Sequence, residues 1–217
     1  MRRQEKKDRN AEMRVQLKPY IREYRESKIK FSPSKSALIV LDMQRFFLES
    51  TSHAYLPAAS MIIRNLKKLI DIYHCESLPV IFTRHALLKT ESPGLMGNWW
   101  GDTVYDDDAM SEISPILPVA PGDEILRKTR YSAFYGTNLE KILRKMNVDT
   151  VVITGVMTHL CCETTARDAF IRDFKVFFVI DGTATQTEDL HVSSLKTLTA
   201  GFAIPVTTKE VLAWLKK

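Results

Sequence analysis

Residues 151–169 read VVITGVMTHLCCETTARDA. The β-branched run Val151-Val152-Ile153-Thr154 ends at Gly155, and a helical pattern starts within a few residues, so the backbone turns sharply from a buried strand into a helix. Cys161 falls in or just before the first turn of that helix. The unpaired N–H groups and positive dipole end of a helix start lower a thiol's pKa, and an exposed thiolate is the form that attacks carbonyl carbons. The position is a candidate nucleophile. The other reading is that Cys161 and Cys162 are small buried fillers, as free cysteines often are.

The same strand-turn-helix unit recurs on both sides. Residues 37–41 form a continuous apolar run of strand length, closed by Asp42, which suits a central parallel strand covered on both faces. Residues 56–73 carry apolar positions at helical spacing and lead to a second strand over 79–83. From residue 84 to 121 the regular pattern fades into a stretch rich in Gly, Pro, Asp and Trp, and a loop that long usually forms one wall of a site. A third strand is predicted over 123–126. Thr137-Asn138-Leu139-Glu140 has capping-box spacing and should open a helix running to about Met146. Beyond the opening stretch come a fifth strand over 175–180, a helix over 187–199, a short edge strand over 204–207, and a last helix capped by Thr207 with Glu210.

Strands alternating with helices, without internal repeats, call for an α/β fold: a single doubly wound domain with a six-stranded, mainly parallel sheet, helices on both faces and right-handed crossovers. This is a Rossmann-like three-layer sandwich, preceded by an N-terminal helical arm. Ligands bind beyond the carboxyl ends of such strands. Asp42, Lys128 and Cys161 lie at or near three of those ends, so side chains far apart in sequence can meet on one rim. Asp42-Met43-Gln44-Arg45 stands where a Gly-rich dinucleotide fingerprint would be, which argues against a nicotinamide cofactor.

Length and composition suit one domain over 34–217 behind a basic arm over 1–33. The formal net charge is +5, but residues 1–30 alone carry +6 and the remainder −1. A basic excess confined to an arm reads as a solvated, helix-forming appendage rather than a nucleic-acid or membrane contact. Met13, Leu17, Ile21 and Tyr24 recur at helical spacing with Pro19 interrupting, so the arm should hold two short helices lying on the body or on a neighbouring subunit. With neither a bilayer-length apolar run nor a signal-peptide pattern, a soluble cytoplasmic protein is expected. The three cysteines suit a reducing compartment and lack the paired spacing of a zinc site.

Three motifs in register resemble the isochorismatase-like cysteine hydrolase superfamily over roughly residues 36–210. They are Leu41-Asp42-Met43-Gln44 with Phe46-Phe47, the run from Lys128 through Tyr131 to Phe134, and Gly155 through Cys161 continuing from Thr164 to Ala169. The resemblance implies an Asp-Lys-Cys triad of Asp42, Lys128 and Cys161. It also implies a cis peptide at Val156-Met157 and an oxyanion hole from the Met157 and Cys161 N–H groups. By resemblance and rim position, Phe47, His85, Trp100, Tyr131 and Phe134 should line the substrate pocket. Arg84 and Arg130 could meet a substrate carboxylate or be ordinary surface charges, and Trp99 could serve subunit packing.

His159 is expected to make a structural hydrogen bond, and His53, His74 and His191 to be solvated or locally bonded. Zinc-binding relatives use an Asp-x-His pair after the second strand where this chain has Thr83-Arg84-His85-Ala86, so no metal and no other cofactor are expected. Relatives of this kind imply a homodimer or homotetramer acting on a small molecule. Two activities fit: hydrolysis of a small amide or carbamoyl compound through the cysteine, or cleavage of the isochorismate vinyl ether with the aspartate as proton donor. The isochorismatases often carry glycine where Cys161 stands, so the thiol favours acyl-enzyme chemistry. A third reading is an inactive interaction module.

Overall fold

A computed structural model describes residues 2–216, with the side chains of residues 2–8, Tyr24 and Glu26 outside that description. The expected place of Tyr24 on the arm's apolar stripe therefore lies outside the described residues. The arm folds as α1 (Arg2–Leu17), a 3-10 turn over Lys18–Tyr20 that holds Pro19, and α2 (Glu23–Lys28). It lies on the body of its own chain. Met13 and Leu17 are buried in the main core, Asn10 Nδ2 donates to Asp181 Oδ2 at 3.1 Å, Arg14 pairs with Glu210, and Arg25 donates to the carbonyls of Thr199 and Ala200.

The body continues with β1 (Ser36–Leu41), α3 (Arg45–Leu48), α4 (Ile63–Cys75), β2 (Val80–His85), α5 (Gly94–Trp100), β3 (Glu124–Lys128), α6 (Leu139–Lys145) and β4 (Thr150–Val156). It ends with α7 (Glu163–Phe170), β5 (Lys175–Ala184), α8 (Glu188–Gly201), β6 (Ile204–Val206) and α9 (Thr208–Leu215). The sheet order is β3-β2-β1-β4-β5-β6, and every pairing is parallel. The chain starts at the centre, winds out to β3, then returns past β1 to lay down β4. The switch point thus lies between β1 and β4, where open α/β sheets bind ligands.

The sequence of β1, SALIVL, is buried at all six positions because successive side chains enter two different cores. Leu38 and Val40 pack with Leu66, Leu69, Ile70 and Tyr73 of α4 and with Val211 and Leu215 of α9. Ala37, Ile39 and Leu41 pack on the other face with Leu139, Leu143, Ala166, Ala169 and Leu195 from α6, α7 and α8. Burying each of these large aliphatic side chains contributes roughly 1.5–3 kcal/mol. At the switch point Gly155 has φ +105°, and a Cβ there would sit 2.1 Å from the Leu41 carbonyl oxygen. Glycine is what lets β4 pass β1 at the point where their ends diverge.

Several local expectations are corrected. The helix expected over 56–73 begins as a 3-10 turn, Pro57–Met61, before α4; the Ser60 hydroxyl takes the Pro57 carbonyl at 2.7 Å, competing with a helical bond. The capping box at Thr137 does not form. Its hydroxyl accepts from Leu139 N–H and donates to the Ala133 carbonyl, while Glu140 pairs with Arg172. The 84–121 stretch contains α5 and a 3-10 turn, Ala109–Ser111. Two glycines inside α5 hid it from periodicity. β3 runs two residues past its expected end, so Lys128 is the last strand residue rather than the first beyond it.

Candidate active site

β1 delivers Asp42 into the rim between β2 and β4. Asp42 takes φ +50°, its N–H donates to the Thr83 carbonyl at 3.1 Å, and its Oδ1 accepts from Thr83 Oγ1 at 2.7 Å. Lys128 comes up alongside from the end of β3. Its Nζ forms an ion pair with Asp42 Oδ2 at 2.8 Å and donates to the Arg130 carbonyl at 3.0 Å and to Cys161 Sγ at 3.3 Å. The Lys128 and Asp42 side chains are 0% and 1% exposed. Burial alone would lower the Lys128 pKa, but the Asp42 carboxylate and Cys161 outweigh it and hold the ammonium above its ordinary value.

Cys161 stands on a π-type turn, Thr158–Cys162, that follows a cis peptide at Val156-Met157 and leads into α7. The expected depression of its pKa by a helix start is corrected: the thiol is buried, and burial pushes it up to about 12, with Asp42 adding to the rise and Lys128 opposing it. The first α-helical residue is Glu163, beyond the thiol, so the dipole end does not reach it cleanly. The resting trio is thus a neutral thiol beside an Asp–Lys ion pair. The two readings of the cysteine pair divide between its members: Cys161 opens on a cavity, and Cys162 packs in the core beneath α7.

α8 and the end of β5 brace this turn. His191 Nε2 reaches the Ile180 carbonyl at 3.2 Å, and a carbonyl only accepts, so Nδ1 is the acceptor and the Thr158 hydroxyl donates to it at 2.9 Å. Burial lowers the His191 pKa to about 4, in keeping with that neutral tautomer. Ser194 Oγ donates to the Thr158 carbonyl, and His159 Nδ1 meets Thr185 Oγ1 at 2.7 Å, a structural bond. His53 bonds Asp102 and His74 bonds Asp123.

The cavity above the trio has a volume of about 300 Å³. Phe47, His85, Trp100, Tyr131, Met157 and Cys161 line it, and Trp100 Nε1–H donates to the Tyr131 hydroxyl at 2.7 Å. Phe134 does not. Its backbone N–H is taken by Ser132 Oγ, and its ring is buried in the core, 6.0 Å from the ring of Phe174 and beneath the Arg172 guanidinium. Arg84 is paired with Asp106 at 2.6 Å and Arg130 donates to the Thr129 carbonyl, and neither lines the cavity.

Gln44 fixes the wall. Its amide accepts from the His85 N–H at 2.8 Å and donates to the carbonyls of His85 and Ser111 at 3.0 and 2.8 Å. His85 is kept neutral, its pKa lowered to about 4 by burial and then by Lys128, and its Nδ1 is buried without a hydrogen-bond partner among the described residues. Sequence reasoning missed Phe46, His53, Met96 and Asp102 on this wall. Phe46 and Met96 sit on the short helices α3 and α5, and His53 and Asp102 in the irregular segments that follow them, where no long periodicity shows which face meets the cavity. Among the described residues, no three His, Cys, Asp or Glu side chains are grouped to hold a metal ion, and no helix is long and apolar enough to cross a membrane.

Residues 36–210 match the isochorismatase domain. The chain is 43% identical over 171 residues to nicotinamidase 3 of Arabidopsis thaliana, covering 77% of this chain and 82% of that one. It is 33% identical over 183 residues to enterobactin synthase component B of Escherichia coli (strain K12), covering 84% of this chain and 64% of that protein. In fold it is similar to the crystal structure of a cysteine hydrolase from Pseudomonas syringae pv. phaseolicola 1448A, with a TM-score of 0.82, 30% identity, and 86% and 94% of the two chains covered.

Proposed function

This chain belongs to the isochorismatase family of hydrolases, and from that premise we propose that it is a cysteine amidohydrolase cleaving the C–N bond of a small planar amide or carbamoyl compound. The observation that carries the reading is Lys128 Nζ, placed 2.8 Å from Asp42 and 3.3 Å from Cys161 at one end of an aromatic cavity. Cys161 Sγ attacks the amide carbon while its proton passes to Asp42, which then protonates the leaving amine. Lys128 offsets the negative charge of Asp42 throughout and stabilises the sulfur as it gains anionic character. Backbone N–H groups of Met157 and Cys161 are assigned to the oxyanion that develops on the carbonyl oxygen. Water then hydrolyses the thioester, regenerating the thiol and releasing the acid. The net reaction is amide plus water to acid plus amine.

The aromatic walls formed by Phe47, Trp100 and Tyr131 suit a flat substrate. The test is release of ammonia from a panel of small amides and ureas by the parent protein and by Cys161→Ala. Loss in the variant is expected, and undiminished release would sink the thiol mechanism. The family match favours one second reading, hydrolysis of the isochorismate vinyl ether with Asp42 as proton donor. That activity would yield pyruvate, persist in Cys161→Ala and vanish in Asp42→Ala.

A further inference from the structure

The cavity wall has a charge balance that the proposed chemistry leaves unused. Among the described residues, no lysine or arginine side chain lines it. Lys128 is ion-paired with Asp42 and donates to Cys161 and the Arg130 carbonyl. Arg84 is neutralised by Asp106, and the Arg130 guanidinium turns to the Thr129 carbonyl. Two carboxylates do line the cavity, Asp42 and Asp102. Asp42 is matched by Lys128. Asp102 follows α5 and meets His53 Nε2 at 2.6 Å, its side chain still 38% exposed. The remainder of the wall is mostly apolar, including Phe46, Leu87 and Met96.

We propose that this balance sets the substrate: the cavity takes an uncharged planar carboxamide and discriminates against the same ring bearing a carboxylate, with Asp102 as the specificity-determining residue. The inference rests on the amidohydrolase reading and narrows it. A ring carboxylate entering the cavity would shed water, find no lysine or arginine among the described wall residues and meet the Asp102 carboxylate, whose partner is the His53 ring, and a desolvated, unpaired charge is strongly disfavoured. A neutral ring loses nothing comparable. Hydrolysis itself then changes the sign of the fit. The neutral amide becomes a carboxylate beside Asp42, so the wall that admits the substrate repels its acid product.

The experiment compares benzamide with 3-carboxybenzamide, which differ by one ring carboxylate. Their kcat/KM values are measured on the parent protein, Asp102→Asn and Asp102→Glu, and their binding to Cys161→Ala is measured by calorimetry. The parent should favour benzamide by roughly tenfold or more, the preference expected from one close like charge in a partly dry site. Asp102→Asn should shrink that preference by roughly threefold or more, and Asp102→Glu should keep it. Equal or tighter binding of the carboxylate compound, no binding of either compound, or a preference that Asp102→Asn leaves in place would each overturn the inference. If neither compound is hydrolysed while Cys161→Ala still binds benzamide preferentially, the charge selection stands and the amidohydrolase reading alone falls.

Discussion

Replacing Lys128 by methionine removes one partner of an ion pair whose side chains are 0% and 1% exposed and whose atoms lie 2.8 Å apart. The change keeps the volume and the buried stem but leaves the Asp42 carboxylate with only neutral side-chain donors among the described residues, Thr83 Oγ1 and the Cys161 thiol. Breaking a buried pair in this way costs roughly 3–5 kcal/mol, because the penalty is that of an uncompensated buried charge. Removing both charges is a different perturbation. Asparagine tolerates the positive φ of position 42, and the double variant Asp42→Asn with Lys128→Met buries no unpaired charge. It should lose less than Lys128→Met alone, giving a coupling energy of roughly 2–4 kcal/mol between the two sites.

Urea unfolding at pH 7 reads this directly. With a slope of roughly 2–3 kcal/mol per molar urea, Lys128→Met should lower the midpoint by roughly 1–2 M. Both variants should release no ammonia. A midpoint shift under roughly 0.3 M for Lys128→Met, or strict additivity in the double variant, would refute the buried pair as the electrostatic centre of the site.

Thr83→Val deletes the 2.7 Å hydroxyl bond to Asp42 Oδ1 at nearly constant shape. A bond to a charged group contributes roughly 1.5–3 kcal/mol, so thermal unfolding should shift down and turnover should fall; an unchanged protein would remove Thr83 from the account. Gly155→Ala places a Cβ 2.1 Å from the Leu41 carbonyl oxygen at φ +105°. Overpacking and backbone strain together should cost roughly 3–5 kcal/mol, read as loss of soluble folded protein. His85 and His191 have pKa values lowered from 6.5 to about 4, so between those values the unfolded chain binds more protons than the folded one. Their contribution is complete above pH 6.5 and is lost as the pH falls toward 4, by roughly 2–3 kcal/mol for each histidine. Urea midpoints at pH 7 and pH 4.5 should differ accordingly, and His191→Asn should flatten the slope.

What was legible in the sequence is what repeats or what is chemically irreplaceable. The two-sided apolar run of β1 announced a central strand, and Gly155 announced a sharp turn. The motifs bearing Asp42, Lys128 and Cys161 pointed to residues that the folded chain brings together. What was not legible depends on how loops fold back. Phe134 looked like a wall residue because it follows Tyr131 in one motif, yet the Ser132 hydroxyl turns the chain so that its ring enters the core. Thr137 and Glu140 had the right spacing for a cap, but each found a better partner elsewhere. The Cys161 pKa ran opposite to the expectation because burial, which local sequence does not report, outweighs a nearby helix start.

Gln44 carries a consequence for how such a site can change over evolutionary time. Its side-chain amide offers His85 one acceptor and one donor, the same pair that a neighbouring strand's peptide group would offer, so it works as a borrowed length of backbone past the end of β1. The sheet is in effect one residue longer at the cavity than its main chain is. His85 is therefore anchored to the sheet, while the loop beyond it hangs from that anchor. Insertions or substitutions after His85 can reshape what the cavity accepts without disturbing the alignment of Asp42 and Lys128 beside it. Specificity and chemistry are thereby made separable, with one buried glutamine as the joint between them.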